Sequence, residues 1–169
     1  MNNFNQETIL IAVICIAILA LFYAGSLLSS VKKENSGNKR MRDLSSYIHE
    51  GAIAFLSREY KIIVIFVVII ALLLIGLGFI PSLKNVDGVG FNGAICFVIG
   101  ALFSGLAGYI GMQSATMANA KTAQAAREGG MPAALHVAFN GGSVLGISVV
   151  GFGLLGLAGL YLLFTYVFG

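Results

Sequence analysis

Four long stretches without a charged side chain constrain the fold of this chain more than any other feature. None of them contains Lys, Arg, Asp or Glu, and they cover residues 8–31, 62–83, 88–120 and 129–169. A helix needs about 20 predominantly apolar residues to cross the roughly 30 Å hydrocarbon core of a bilayer. Each stretch meets that length, so the pattern predicts four membrane-crossing segments.

The predicted class is an all-α integral membrane protein with four transmembrane helices. A segment in lipid must satisfy its own backbone hydrogen bonds, which leaves helices or closed barrels, and these runs lack the alternation of barrel strands. Composition agrees, because 10% of the residues are charged against about 25% in soluble proteins. One membrane domain is expected over residues 1–169, with spans at approximately 8–31, 60–83, 90–120 and 132–167.

The positive charges are unevenly distributed among the connecting segments. Of the ten Lys and Arg residues, only Lys84 lies outside the connectors that join spans one to two and three to four. Cytoplasmic loops carry such an excess, so the protein is predicted to be multi-pass in the cell membrane with both termini external. Attraction to the cytoplasmic leaflet explains these cations. No stacking aromatic face accompanies them, so no nucleic-acid partner is predicted.

An amphipathic cytoplasmic helix is predicted to lead into the second span. In "MRDLSSYIHEGAIAFLSREYK", residues 41–61, the apolar face comprises Met41, Leu44, Tyr47, Ile48, Gly51, Ala52 and Phe55. Their helical spacing favours a helix lying at the membrane interface. His49, Glu50, Arg58 and Glu59 could suggest a catalytic site, but no nucleophile or metal-type spacing accompanies them. We therefore interpret them as a solvated face. Tyr60 and Lys61 are interpreted as interfacial anchors.

The third and fourth spans carry stripes of small side chains. At about 100° per residue, Ala118 and Thr122 extend the stripe of the third span, while Ala138 and Gly156 belong to that of the fourth, which Val149 interrupts. Small residues let helix backbones approach closely in lipid, so both stripes predict helix–helix contacts. The candidate packing residues are Gly100, Ser104, Gly108, Gly111, Ala115, Gly142, Gly146 and Gly153.

No catalytic, metal-binding or substrate-binding residue is predicted. The long apolar stretches contain no Asp, Glu, Lys or Arg, whereas a path for ions through the bilayer usually needs such groups. On the fourth span, His136, Asn140 and Ser143 share one face. We interpret this face as bonding a neighbouring helix, and a proton relay is the alternative. Cys15 and Cys96 lie within apolar runs and are interpreted as small buried residues.

Three blocks of the sequence resemble membrane-bound pyrophosphatases, which are pumps that couple pyrophosphate hydrolysis to outward transport of protons or sodium ions. The blocks are "MRDLSSYIHEGAIAFLSREYK", "LAGYIGMQSATMANAKTAQAAR" and "ALHVAFNGGSVLGISVVGFGLLGL". They match the first four helices of that family in order. The resemblance covers about residues 9–168.

The resemblance implies that this chain is the N-terminal part of a pump with about sixteen spanning helices, to which it supplies outer-layer scaffold helices. The family's pyrophosphate site uses Asp and Lys clusters with Mg²⁺ on later helices, so Mg²⁺ and pyrophosphate would bind to the parent. The chain alone, whose only aspartates are Asp43 and Asp87, is expected to be an inactive fragment. The implied partners are the remaining helices of the parent, the lipid bilayer and a second copy in a homodimer of the full-length pump.

Two other classes remain open from the residues. A self-contained four-span structural or interaction protein needs no more than the packing stripes. A small transporter subunit would need a polar cavity at the midplane of the membrane, usually with broken helices or internal repeats, and no convincing repeat relates the two halves of the sequence. Proton and sodium transport are both compatible with the resemblance.

Overall fold

The structure is a computed structural model that describes residues 3–80 and 88–167. The described residues form three helices and no strand: α1 spans Asn3–Lys33, α2 spans Lys39–Leu77 and α3 spans Phe91–Val167. All three are long and apolar enough to cross a membrane. The predicted all-α class of a membrane protein is therefore confirmed.

α2 contains the predicted amphipathic segment and the predicted second span in one continuous helix. It begins after Asn38, whose side-chain oxygen accepts a hydrogen bond from the backbone N–H of Met41 at 2.9 Å. This bond satisfies one of the donors that a helix start leaves unpaired. The preceding Gly37 has φ of 78°, a conformation that glycine adopts without the steric cost other residues incur. These two residues turn the chain from α1 into α2.

α3 is divided by Gly130 into a first arm, residues 91–129, and a second arm, residues 131–167. Gly130 has φ of 70° and ψ of −162°, which is not helical. Pro132 lies in the first turn of the second arm, where its missing N–H leaves no helical hydrogen bond unmade. Glycine followed by this proline therefore ends one helical arm and starts the next with no intervening loop.

The two arms pack against each other in antiparallel orientation. Ser114 donates a hydrogen bond to the carbonyl of Gly141 at 3.0 Å, and the rings of Phe103 and Phe152 stack with their centroids 5.6 Å apart. The contact that lies farther from Gly130 joins residues that are also farther apart in sequence, as antiparallel packing of the two arms requires. The predicted third and fourth spans thus occur as two arms of one helix, and a count of four separate helices is not shown.

α3 lies between the other two helices. The described parts of α1 contact α3, those of α2 also contact α3, and α1 and α2 do not contact each other. At one end of the molecule the backbone N–H of Gly90 bonds the carbonyl of Leu74 at 3.0 Å. This contact brings the end of α2 to the start of α3. Lys84 and Asp87, which bear on the predicted orientation, lie outside the described residues.

The core consists mainly of small side chains from α1 and α3. Its fully or nearly buried residues include Ala17, Ala24, Val31, Ala107, Val137, Val144 and Ala158. In α2, by contrast, Leu56 is the only buried residue among those described, and bulky residues of its apolar part such as Phe66 are exposed. α1 and α3 therefore form the close-packed part of the chain, while the apolar part of α2 presents large side chains outward.

Candidate packing surfaces

The candidate packing residues of the first arm divide into two groups. Gly111 is buried, and a Cβ added there would lie 2.8 Å from the Cβ of Leu145 on the second arm. At Gly108 an added Cβ would lie 3.3 Å from the hydroxyl oxygen of Tyr60 on α2. Gly100, Ser104 and Ala115 are exposed. The structure therefore places two of these five residues at contacts with other helical segments of the chain.

On the second arm, all three candidate residues face away from the rest of this chain. Gly142, Gly146 and Gly153 are exposed, and a Cβ added at any of them would meet no atom within 4 Å. Farther along the arm, Gly156 of the predicted stripe is buried together with Ala158. The main buried face of this arm is a different set: Ala134, Val137, Gly141, Val144, Ser148 and Gly151. Sequence reasoning missed this set, although its alternating spacing of three and four residues is the signal of a helix seam.

Polar groups reinforce the contacts between helices. The Tyr60 hydroxyl donates to the backbone carbonyl of Gly105 at 2.6 Å, so it packs on the first arm instead of serving only as the predicted interfacial anchor. His49 Nδ1 lies 3.3 Å from Thr116 Oγ1, which brings one predicted surface residue into contact with α3. Hydrogen bonds of this kind hold membrane helices in a fixed register. They connect α2 to the first arm at two levels.

Lys121 is buried, with 7% of its surface exposed, although the sequence suggested an ordinary cation beside the membrane. Its ammonium group donates to the backbone carbonyls of Lys32 and Glu34, both at 2.8 Å. The last carbonyls of a helix have no intrahelical partner and attract positive charge, so Lys121 caps the end of α1. Burial lowers the pKa of Lys121, while the negative charge of Glu34 opposes that shift.

The connector between α1 and α2, residues 34–38, is held against the end of the first arm. The side-chain amide of Asn35 donates to Glu128 at 3.2 Å, and the Gln124 amide donates to the same carboxylate. Arg42 donates to the carbonyl of Gly37 at 2.9 Å. Together with Lys121, these bonds place the α1–α2 connector and the kink of α3 at one end of the molecule.

The acidic and histidine side chains at this end are not clustered into a metal-binding group among the residues that the structure describes. A cavity of about 360 Å³ beside Lys121 is lined in part by Glu34, Glu128 and His136, and Asn140 lies 3.5 Å from both ring nitrogens of His136. Mg²⁺ requires oxygen ligands in near-octahedral geometry. Across residues 3–80 and 88–167, no group of three or more His, Cys, Asp or Glu residues is arranged to hold a metal ion.

The described residues form long apolar helices that pack along small residues, with the α1–α2 connector and the kink of α3 at one end. This arrangement is that of an integral membrane protein. The family follows from comparison with known proteins, because the family model described as inorganic H⁺ pyrophosphatase matches residues 18–168. The chain belongs to this family, which confirms the resemblance seen in the three sequence blocks.

Curated relatives of the chain are pyrophosphate-energized pumps. It is 41% identical over 147 residues to the K⁺-insensitive proton pump of Methanosarcina mazei, covering 87% of this chain and 20% of that protein. It is 39% identical over 150 residues to the K⁺-stimulated sodium pump of Thermotoga maritima, covering 88% and 19%. The K⁺-insensitive proton pump 2 of Moorella thermoacetica is 41% identical over 152 residues, covering 90% and 20%. The chain spans about a fifth of the length of these relatives.

Proposed function

We propose that this chain is the N-terminal part of a pump that uses pyrophosphate hydrolysis to move protons or sodium ions outward, and that it supplies scaffold helices to that pump. The observation that carries the proposal is the similarity of nearly the whole chain to a fifth of each relative. Mg²⁺ and pyrophosphate then bind to the remaining four-fifths of the pump.

In the proposed arrangement the chain crosses the membrane four times. Four helical segments each form one crossing: α1, the apolar part of α2 and the two arms of α3. Each of them provides the roughly 20 residues required. The hydrogen bond between Asn35 and Glu128 holds two connecting regions at one end, and these regions carry most of the Lys and Arg residues. The positive-inside rule places that end in the cytoplasm and both termini outside the cell.

The candidate packing residues have two roles in this proposal. Gly108 and Gly111 allow α2 and the second arm to approach the first arm within the chain. The exposed small residues serve contacts with the remaining helices of the pump: Gly100, Ser104, Ala115, Gly142, Gly146 and Gly153. The complete pump forms the proposed homodimer, and the bulky exposed residues of α2 face lipid.

The test of the non-catalytic role uses the purified chain in lipid vesicles with Mg²⁺ and pyrophosphate. We expect phosphate release no higher than in empty vesicles, and no ion uptake. Under matched conditions the Thermotoga maritima pump should release phosphate and transport ions into the vesicles. The variants Asp43→Asn and Glu50→Gln test the cytoplasmic acids directly. Phosphate release by the chain that either substitution abolishes would show that these acids form a catalytic site.

A further inference from the structure

We propose that Met41 is a site of reversible oxidation, and that its sulfoxide holds the α1–α2 connector more firmly against the first arm than the thioether does. The Met41 sulfur lies where three parts of the chain meet. A Cβ added at Gly37 of the connector would lie 2.6 Å from this sulfur, and Nη1 of Arg127 on the first arm donates to it at 3.8 Å. One sulfur atom therefore joins the connector, the start of α2 and the first arm.

The surroundings of the sulfur leave one side of it accessible. The backbone N–H of Met41 donates to the side chain of Asn38 at 2.9 Å, which places the residue in the first turn of α2. Gly37 closes one side of the sulfur, and Oε1 of Gln124 lies beside it, 2.9 Å from the Cβ that Gly37 lacks. Met41 is partly exposed, and Arg127 is exposed. A small oxidant can therefore reach the sulfur from the solvent.

The reaction transfers one oxygen atom from hydrogen peroxide to the thioether. A lone pair of the Met41 sulfur attacks one peroxide oxygen and the O–O bond breaks. The departing hydroxide takes up the proton of the transferred hydroxyl group, so the products are the sulfoxide and water. Sulfur loses two electrons, which the peroxide gains. The guanidinium of Arg127 stabilises the negative charge that develops on the departing hydroxide. Methionine sulfoxide reductases reverse such an oxidation.

Oxidation strengthens the contact between Met41 and Arg127. A thioether sulfur is a weak acceptor, whereas a sulfoxide is polar, and hydrogen bonds from a charged donor are roughly twice as strong as neutral ones. Because Gly37 closes one side of the sulfur, the new oxygen lies on another side, where the exposed Arg127 side chain can reach it. A charge-assisted bond then replaces a weak one. The connector, which packs under the sulfur, opens less often.

The experiment treats the chain in detergent micelles with hydrogen peroxide and follows the exchange of backbone amides with deuterium. Peptide mapping by mass spectrometry measures the sulfoxide at each methionine, and exchange in residues 34–38 reports how often the connector opens. The chain and its variants all carry Met131→Leu, because Met131 is 71% exposed and would also oxidise. We expect oxidation of Met41 to slow exchange in the connector by about 3- to 10-fold. Treatment with a methionine sulfoxide reductase and a thiol should restore the original rate.

Three variants assign the effect to this contact. Met41→Leu keeps an apolar side chain without sulfur, so peroxide should leave exchange in its connector unchanged. Met41→Gln carries an amide oxygen that stands in for the sulfoxide oxygen, so its connector should exchange slowly without peroxide. In Arg127→Gln the sulfoxide should still form, but exchange in the connector should not become slower.

Any of three results would overturn the inference. Absence of the sulfoxide at Met41 when Met112 and Met117 are oxidised would show that the sulfur is shielded. Unchanged or faster exchange in the connector after oxidation of Met41 would show that the sulfoxide does not strengthen the contact. Equal slowing in Arg127→Gln would exclude Arg127 as the partner. These outcomes do not depend on the proposed function, because exchange is measured in this chain alone.

Discussion

At the scale of single residues, Lys121 determines how the end of α1 is held. Its two hydrogen bonds reach residues 87 and 89 positions away in sequence, so one side chain joins α1, the following connector and the first arm. Hydrogen bonds from a charged group contribute about 1.5–3 kcal/mol. Removing the ammonium would also leave the backbone carbonyls of Lys32 and Glu34 without the hydrogen bonds that Lys121 donates to them.

The variant Lys121→Met should therefore lower the free energy of unfolding by about 1–3 kcal/mol. Methionine keeps an unbranched apolar stem but donates no hydrogen bond. Thermal unfolding in detergent, followed by circular dichroism, measures the loss, and trypsin should cleave the freed connector after Lys33 or Lys39 more rapidly. Lys61→Met is the control, because Lys61 is exposed and carries the same charge. Equal thermal stability of the two variants would contradict the role assigned to Lys121.

At the scale of helices, packing depends on glycines that lie directly against another segment. Gly111 faces Leu145 and Gly108 faces Tyr60, whereas Leu102 and Leu106 of the same arm are exposed. Substituting a contact glycine by a large residue forces neighbouring atoms apart, and overpacking of this kind costs typically about 1–3 kcal/mol. The two faces of the first arm should thus respond differently to substitution.

The double variant Gly108→Leu with Gly111→Leu should unfold at a lower temperature in detergent than the parent chain, by a margin that corresponds to about 2–6 kcal/mol for two overpacked sites. Leu102→Val with Leu106→Val, on the exposed face, should change stability by less than about 1 kcal/mol. If the two pairs of substitutions had the same effect, the assignment of packed and exposed faces on this arm would be wrong.

The helical elements could be predicted from sequence more fully than their contacts. Apolar runs of membrane length indicate helices by themselves, which is why the all-α class follows from residue types alone. Gly130 was not identified as the position of the kink in α3, since the adjacent Gly129 is equally a glycine and only the φ of 70° at Gly130 defines the kink. The burial of Lys121 depends on the carbonyls of α1, and no local pattern connects positions so distant in sequence.

The contact face of the second arm could be predicted only in part for a related reason. Several faces of this arm carry glycine or alanine, so small size alone does not select one. The structure places Gly141 and Gly151 at contacts inside the chain, while Gly142 and Gly146 are exposed. Choosing between these faces requires the positions of α1 and the first arm.

At the scale of the whole molecule, the chain behaves as a portion of a larger assembly. It contains a packed unit of α1 and α3, an α2 whose apolar part is largely uncovered, and exposed small residues on both arms. It matches about a fifth of the length of its relatives. These features agree with helices that complete their packing against other parts of a pump.

The proposed orientation can be tested with reporter fusions. A reporter joined after Gly37 or after Gly129 should be cytoplasmic, and one joined after Asp87 should be external, because the Lys and Arg residues concentrate in the first two regions. Phosphatase and fluorescent-protein fusions give opposite signals for the two sides. A cytoplasmic reporter after Asp87 would contradict the four-crossing arrangement.

Complementation by separate chains tests the central claim most directly. The Methanosarcina mazei pump would be expressed without the segment matched by this chain, and this chain would be supplied as a second polypeptide; the relative's own segment serves as the positive control. We expect the two polypeptides to copurify and to restore pyrophosphate hydrolysis with ion uptake into vesicles. The contradicting result would be restoration by the relative's own segment while this chain neither copurifies nor restores activity. This chain would then not be the scaffold part of such a pump.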